Sequence, residues 1–405
     1  MTNRQHKVVW RVGGLGLQSA SNQPRPLNPE TCHASHPLCR PGRVIRRQCG
    51  RAAQDILLGH YGSLTGSQAT FGQSTSQGIN LAINEINAAG GILGGRKIKL
   101  VEYDSKGDPK EAGTVVTRLC TKDKVAVVIG EVASSVSIAA APICQQNHIP
   151  MVSPSSTNPK VTAQGDMIFR ACFIDPFQGL VCAKFAAENK KWKTAALLVD
   201  QSQAYAVGLA EEFEKNFTKF GGTITIKQQY NTGDTDFSAV LTAIRGTSPN
   251  VIFVPGYYTD VANIAIQARK LGITAPLLGG DGWDSQKLTE IGGKSIEGSF
   301  YSNHASPDDP SEAFQSFVAK YKDEYGPVPD ALAALGYDSA RLVVEAIKKA
   351  GTTDGPAIAK ALAATKDFPG ATGKITIDAN RDAVKSAVIL ELKGGKPVFV
   401  TTINP

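Results

Sequence analysis

From Asp55 onward, short runs of aliphatic and β-branched residues alternate with amphipathic stretches, each closed by Gly, Pro, Asn or Asp. This alternation limits the fold more than any other feature, because strands separated by helical crossovers build βαβ units and a parallel sheet. DILLGHY supplies the first strand. A Gly/Ser/Thr-rich loop from Gly62 to Gly72 follows, then a helix in which Ile79, Ile83 and Ile86 fall at i, i+4 and i+7. KIKLVEYD is the second strand, and Asp108-Pro109 gives an N-cap and an N1 proline to a helix running to about Cys120. VAVVIG, a helix over Ser137 to Gln146, and IPMVSP complete a four-strand series by about residue 173.

A second series of the same kind runs from TAALLVD through TITIKQQY and VIFVPG to PLLGGDGWD, with helices ending near Phe220, Arg245 and Leu271. After SFYSN the order changes to three helical stretches, 311–325, 330–350 and 356–365, and then to the strands GKITID, AVILEL and KPVFVTT. The expected fold class is therefore α/β, with two doubly wound, Rossmann-like lobes. Open α/β sheets bind ligands at the carboxyl ends of their strands, so the crevice between the lobes is where a site is sought.

Charge separates the first fifty residues from the rest. They hold eight of the 43 Lys and Arg and one of the 36 acidic residues, which accounts for the whole net charge of +7. The remainder is neutral, and no basic stripe of the kind nucleic acid requires is left. Residues 1–53 are expected to be an atypical leader, disordered or outside the fold, that comes from a misassigned start or a shifted reading frame and carries no clear secretion signal. No run of about 18 apolar residues occurs.

Patterns that would carry catalysis or a cofactor fail on spacing. Gly62-Ser-Leu-Thr-Gly66 has its serine one place early for G-x-S-x-G; Gly90 to Lys97 lacks the Lys-Ser/Thr of a P-loop; and the first strand is not followed by G-x-G-x-x-G. The six histidines show no i, i+4 pair, so no metal site and no cofactor are expected. Cys32, Cys39 and Cys49 sit in the leader. Cys120 and Cys144 flank one strand and read either as a bridge closing a loop of about 25 residues or as two buried thiols; Cys172 and Cys182 are open in the same way.

Candidate binding residues cluster after strands. Ser134 and Ser135 open a helix after VVIG, and Ser153-Pro-Ser-Ser-Thr-Asn-Pro159 follows IPMV, giving hydroxyls and free N–H groups suited to a carboxylate. In the second series Tyr205, Tyr257 with Tyr258, and Asp281 in the GGDGWD turn occupy equivalent places. An acidic group there pairs with an ammonium, and a tyrosine ring covers an aliphatic ligand.

Six segments carry a family resemblance: GSLTGSQATFGQ, LAINEINAAGGILGGRKIKLVEYDSKGDP, VVIGEVASSVSIAAAPICQQNHIPMVSPSSTNPKVT, FRACFIDPFQG, QAYAVGLAEEF and GGDGWDS. In their order and spacing, from about Gln54 to the C-terminus, the chain resembles the branched-chain amino-acid-binding proteins. These are periplasmic receptors of ABC importers with the type I periplasmic-binding-protein architecture, which implies two lobes joined by a three-stranded hinge, one of 54–174 plus 305–384 and the other of 175–304 plus 385–405. The resemblance implies that Ser134, Ser155, Ser156, Thr157 and Asp281 hold the ligand's carboxylate and ammonium. It implies an aromatic wall of Phe71, Tyr205, Tyr257 and Tyr337. Where some relatives carry a disulfide, this chain has Lys106 and Ala133.

The function expected on this basis is a non-enzymatic, periplasmic, monomeric receptor that closes on a free aliphatic amino acid and delivers it to membrane permease subunits. The alternative is a sensing subunit of the same fold that reports an amide or amino acid to a regulator.

Overall fold

The computed structural model describes residues 54–405, so the expectations for the leader, 1–53, lie outside the described residues. The first series contains β1 (Ile56–Gly62), α1 (Ala69–Ala88), β2 (Ile98–Asp104), α2 (Pro109–Arg118), β3 (Val127–Ile129), α3 (Ser134–Gln146), β4 (Met151–Ser153) and β5 (Ile168–Arg170). Its five strands form a parallel sheet in the order β2-β1-β3-β4-β5. Asp108 caps α2 by accepting from the backbone N–H groups of Lys110 and Glu111, as its place before Pro109 requires. The fifth strand is an addition to the four read from sequence. Ile-Phe-Arg is too short to show any periodicity, and it becomes a strand by pairing with β4.

The second series runs α4 (Asp175–Lys184), β6 (Thr194–Asp200), α5 (Ala204–Lys219), β7 (Thr223–Tyr230), α6 (Ser238–Thr247), β8 (Val251–Phe253), α7 (Tyr258–Lys270), β9 (Leu277–Gly279), α8 (Gln286–Gly292) and β10 (Phe300–Asn303). There follow α9 (Glu312–Tyr325), α10 (Ala331–Ala350), α11 (Gly355–Ala363), β11 (Phe368–Gly370), β12 (Gly373–Ile377), β13 (Ala383–Val384), β14 (Ala387–Lys393) and β15 (Lys396–Ile403). The second sheet has the order β15-β14-β10-β9-β8-β6-β7. It is parallel from β7 to β10, and the last two strands add antiparallel. A small antiparallel sheet, β11-β12-β13, lies beside α10.

Central strands such as β3 and β8 are buried at every position, as expected where helices cover both faces of a parallel sheet. The chain leaves the first sheet after β5, because α4 packs on β10 and β14 of the second. It returns after β10, since α9 and α10 pack on α1, and leaves again between β13 and β14. The α1 and α10 backbones touch. A Cβ at Gly78 would lie 1.9 Å from the Ala333 carbonyl oxygen, and one at Gly336 2.4 Å from that of Thr75, so only glycine fits at either place. Cys120, Cys144, Cys172 and Cys182 are buried free thiols, which settles the alternatives left open for both pairs.

Candidate functional site

The carboxyl ends of the strands of both sheets converge on one small cavity. Val132 follows β3, Ser155 and Thr157 follow β4, Tyr205 lies in the first turn of α5, Tyr257 precedes α7, and Asp281 and Gly282 follow β9. Leu332, in the first turn of α10, completes the lining of a narrow cleft with about 10 Å³ of free space. A roomier groove of about 660 Å³ runs between Trp283–Glu290, the Pro327–Asp330 turn and the β14–β15 turn. None of the residues lining it carries an unpartnered buried polar atom, whereas the small cavity has three. These are the hydroxyls of Ser155, Thr157 and Tyr257. A buried hydroxyl without a partner costs free energy unless a ligand meets it, which makes the small cavity the candidate site.

Asp281 is held from three sides. Its Oδ1 accepts from the Tyr205 hydroxyl at 2.9 Å and from Gln178 Nε2 at 2.9 Å, and its Oδ2 faces His304 Nε2 at 3.0 Å. Burial lowers the His304 pKa, so the ring is held neutral with its proton on Nε2, as a carboxylate partner requires. The ring stacks on Phe173 with centroids 3.8 Å apart. Burial also pushes the Tyr205 and Tyr257 phenols well above their ordinary range, so both remain protonated donors. The two rings stack on each other at 5.4 Å and form one wall. Gln178 and His304 were not read from the sequence as site residues. The signal for His304 was its place one residue past the strand FYSN, where the chain crosses between lobes.

Of the expected site residues, the structure brings together Ser155, Thr157, Tyr205, Tyr257 and Asp281. Ser134 and Ser156 stand behind them. Ser134 Oγ accepts from the Asn158 N–H at 3.2 Å, and Ser156 Oγ lies 2.9 and 3.0 Å from the carbonyl oxygens of Glu131 and Val132. Their hydroxyls are therefore engaged in holding the turn. Phe71 supports the wall from outside, edge-on to Tyr257 at 5.8 Å and to Tyr258 at 4.9 Å. Tyr337 is a correction. Its hydroxyl donates to Glu85 at 3.0 Å and its ring packs on Phe317, on the α1–α9 side of α10 and away from the cavity.

The lobes meet over the cavity. Ser135 Oγ accepts from the Ala204 N–H at 3.0 Å, and Asn158 Nδ2 donates to the Ala204 carbonyl at 2.7 Å. On the facing rim, Thr259 donates to the Ser67 carbonyl at 2.9 Å, and Asp284 accepts from the Ala331 N–H at 2.7 Å. This is a closed arrangement, with hydroxyls from one lobe and an acid from the other facing the same space.

Asp175, at the start of α4, is buried with neither carboxylate oxygen partnered, and burial raises its pKa to about 8. The folded state then binds a proton that the unfolded chain has released above about pH 4. Stability from this group is full below that pH and is lost as pH rises toward 8. Asp175→Asn is accordingly expected to raise the melting temperature at pH 9 and to change it little at pH 4, as melts at the two pH values would record. An equal shift at both would exclude a proton-linked effect.

Residues 55–396 match the periplasmic binding protein family, which covers nearly all of the described chain. The chain belongs to that family: it is a substrate-binding receptor and not an enzyme. A curated relative, the Leu/Ile/Val-binding protein homolog 2 of Brucella abortus, is 33% identical over 345 residues, 84% of this chain and 91% of the relative. Among solved structures, the leucine-binding protein LivK of Thermotoga maritima is 40% identical with a TM-score of 0.84, covering 86% of this chain and 99% of that one. The branched-chain amino acid transporter substrate-binding protein LivJ of Streptococcus pneumoniae, solved with isoleucine, is 34% identical with a TM-score of 0.82, covering 87% of this chain and all of that one.

Proposed function

We propose that this protein captures a free aliphatic amino acid in the periplasm, as a monomer, and delivers it to the permease subunits of an ABC importer. The observation that carries the reading is the coexistence, in one cavity, of unpartnered hydroxyls at Ser155, Thr157 and Tyr257 with the carboxylate of Asp281. A zwitterion leaves water only where both its charges are met. Ser155 and Thr157 receive the carboxylate, Asp281 receives the ammonium, and Val132, Leu332 and the tyrosine rings cover the side chain. The bodies that move are 54–174 plus 305–384 and 175–304 plus 385–405, turning about the three crossings. Names of the relatives, among them one solved with isoleucine, support the same ligand class.

A thermal-shift screen of the twenty amino acids tests the proposal. Leucine, isoleucine or valine at 100 times its dissociation constant should stabilise the protein by about 2.7 kcal/mol. A profile with no shift for any aliphatic amino acid would reject it.

A further inference from the structure

The geometry points to Arg170 as a positioning residue that fixes the Ser155–Thr157 turn by clamping the carbonyl groups on either side of Thr157. This rests on the reading of that turn as the seat of the ligand carboxylate.

Arg170 ends β5 and is fully buried. Its Nη1 donates to the Ser156 carbonyl, and its Nη2 donates to the Asn158 carbonyl at 2.9 Å and to Thr162 Oγ1 at 3.0 Å. Its Nε pairs with Asp382 Oδ1 at 2.6 Å, and Thr162 Oγ1 donates to the same oxygen at 2.9 Å. The two clamped carbonyls belong to the residues flanking Thr157, and Ser156 also follows Ser155. Neither site hydroxyl makes a well-formed hydrogen bond within the protein, although that of Thr157 lies near the Asp175 carboxyl, so the backbone of the turn sets their aim. Ser134, Ser153 and Ser156 hold other atoms of this turn, and Cys172 Sγ adds a weak contact to the Ser156 carbonyl at 3.3 Å. Arg170 is the one cation in the set, and its planar fork reaches both carbonyls at once, which the point charge of a lysine does not.

The partner acid extends the connection. Asp382 lies in the β12–β13 turn, two residues before Val384, where the chain leaves the first lobe for the last time. The Thr157 carbonyl accepts from the Asp175 N–H at 2.9 Å, at the first crossing. The turn is thus tied to two of the three crossings. A buried ion pair contributes little net stability compared with an apolar pair of the same volume. An apolar pair, however, has no donors for two carbonyls.

A double-mutant cycle tests this by calorimetry with leucine, isoleucine and valine as probes. Arg170→Lys keeps a cation for Asp382 and should weaken binding of the best probe about tenfold or more. In a Ser155→Ala/Thr157→Val background the same change should cost nothing further, because the hydroxyls it aims are gone. In an Asp281→Asn background its cost should persist in full. An equal cost of Arg170→Lys in both the parent and the hydroxyl-free background would overturn the inference and leave the proposed function standing. Unchanged affinity in the hydroxyl-free variant, or no binding of any probe to the parent, would overturn the reading of the turn and the inference with it. Should Arg170→Lys fail to fold, Asp382→Asn takes its place in the cycle with the same expected outcomes.

Discussion

Replacing Asp281 with asparagine is expected to weaken amino-acid binding by two orders of magnitude or more while the protein still folds. A carboxylate offers about four hydrogen-bond acceptor positions. Three are filled from within the protein, by the Tyr205 phenol, the Gln178 amide and the His304 imidazole. All three donors are neutral, the last because burial disfavours its protonation. The negative charge therefore has no cation among these partners, and the remaining acceptor position faces the cavity. An ammonium arriving there meets a desolvated opposite charge, and removing one member of such a pair costs about 3–5 kcal/mol. At 1.4 kcal/mol per tenfold this corresponds to about two to three and a half orders of magnitude in Kd. Asparagine preserves the shape and one acceptor, so the fold is retained while the charge is lost. Calorimetry on the variant, with a melt to confirm folding, decides the matter. Unchanged affinity in a folded variant would remove Asp281 from the site.

The strand–helix alternation was legible because each lobe repeats one local rule, and TAALLVD and TITIKQQY match β6 and β7 residue for residue. What escaped was set by distant neighbours. Ile168–Arg170 has no period of its own and becomes a strand only beside β4. In the site, Ser155 and Ser156 are chemically identical and adjacent, yet one hydroxyl faces the cavity and the other is bound to the Glu131 and Val132 carbonyls. Turn geometry decides between them, and composition does not encode it. Tyr205 and Tyr337 both lie on helices at strand ends or lobe contacts, but Glu85 draws the second hydroxyl away. His304 gave no motif because its partner, Asp281, lies 23 residues earlier in the chain and meets it only through the pairing of β9 with β10.

Saturation with the cognate amino acid is expected to reduce the radius of gyration, because the ligand supplies the free energy that selects the closed form. The two large sheets share no strand and are joined by three crossings, after β5, after β10 and between β13 and β14, so a rotation of one lobe against the other would leave each sheet intact. Hydrogen bonds between the lobes are few among the described residues: Ser135 to Gln203 and Ala204 and Asn158 to Ala204 on one rim, and Ser67 to Thr259, Thr70 to Ser285 and Asp284 to Ala331 on the other. Each exchanges a hydrogen bond to water for one within the protein and is worth about 0.5–1.5 kcal/mol net. That gain is opposed by the exclusion of water from hydroxyls that have no protein partner, those of Ser155, Thr157 and Tyr257. A zwitterion removes the opposition, since it fills those hydroxyls from the first lobe and Asp281 from the second in a single event. Shifting a population from 1:99 to 99:1 requires about 5.5 kcal/mol of differential affinity, within reach of one ammonium–carboxylate contact and two or three hydrogen bonds to a carboxylate. Small-angle scattering with and without ligand measures the change directly. Asp281→Asn should show the open radius at a ligand concentration that closes the parent, whereas Tyr337→Phe should close like the parent. Equal radii for ligand-free and saturated parent protein would show that the ligand does not drive closure.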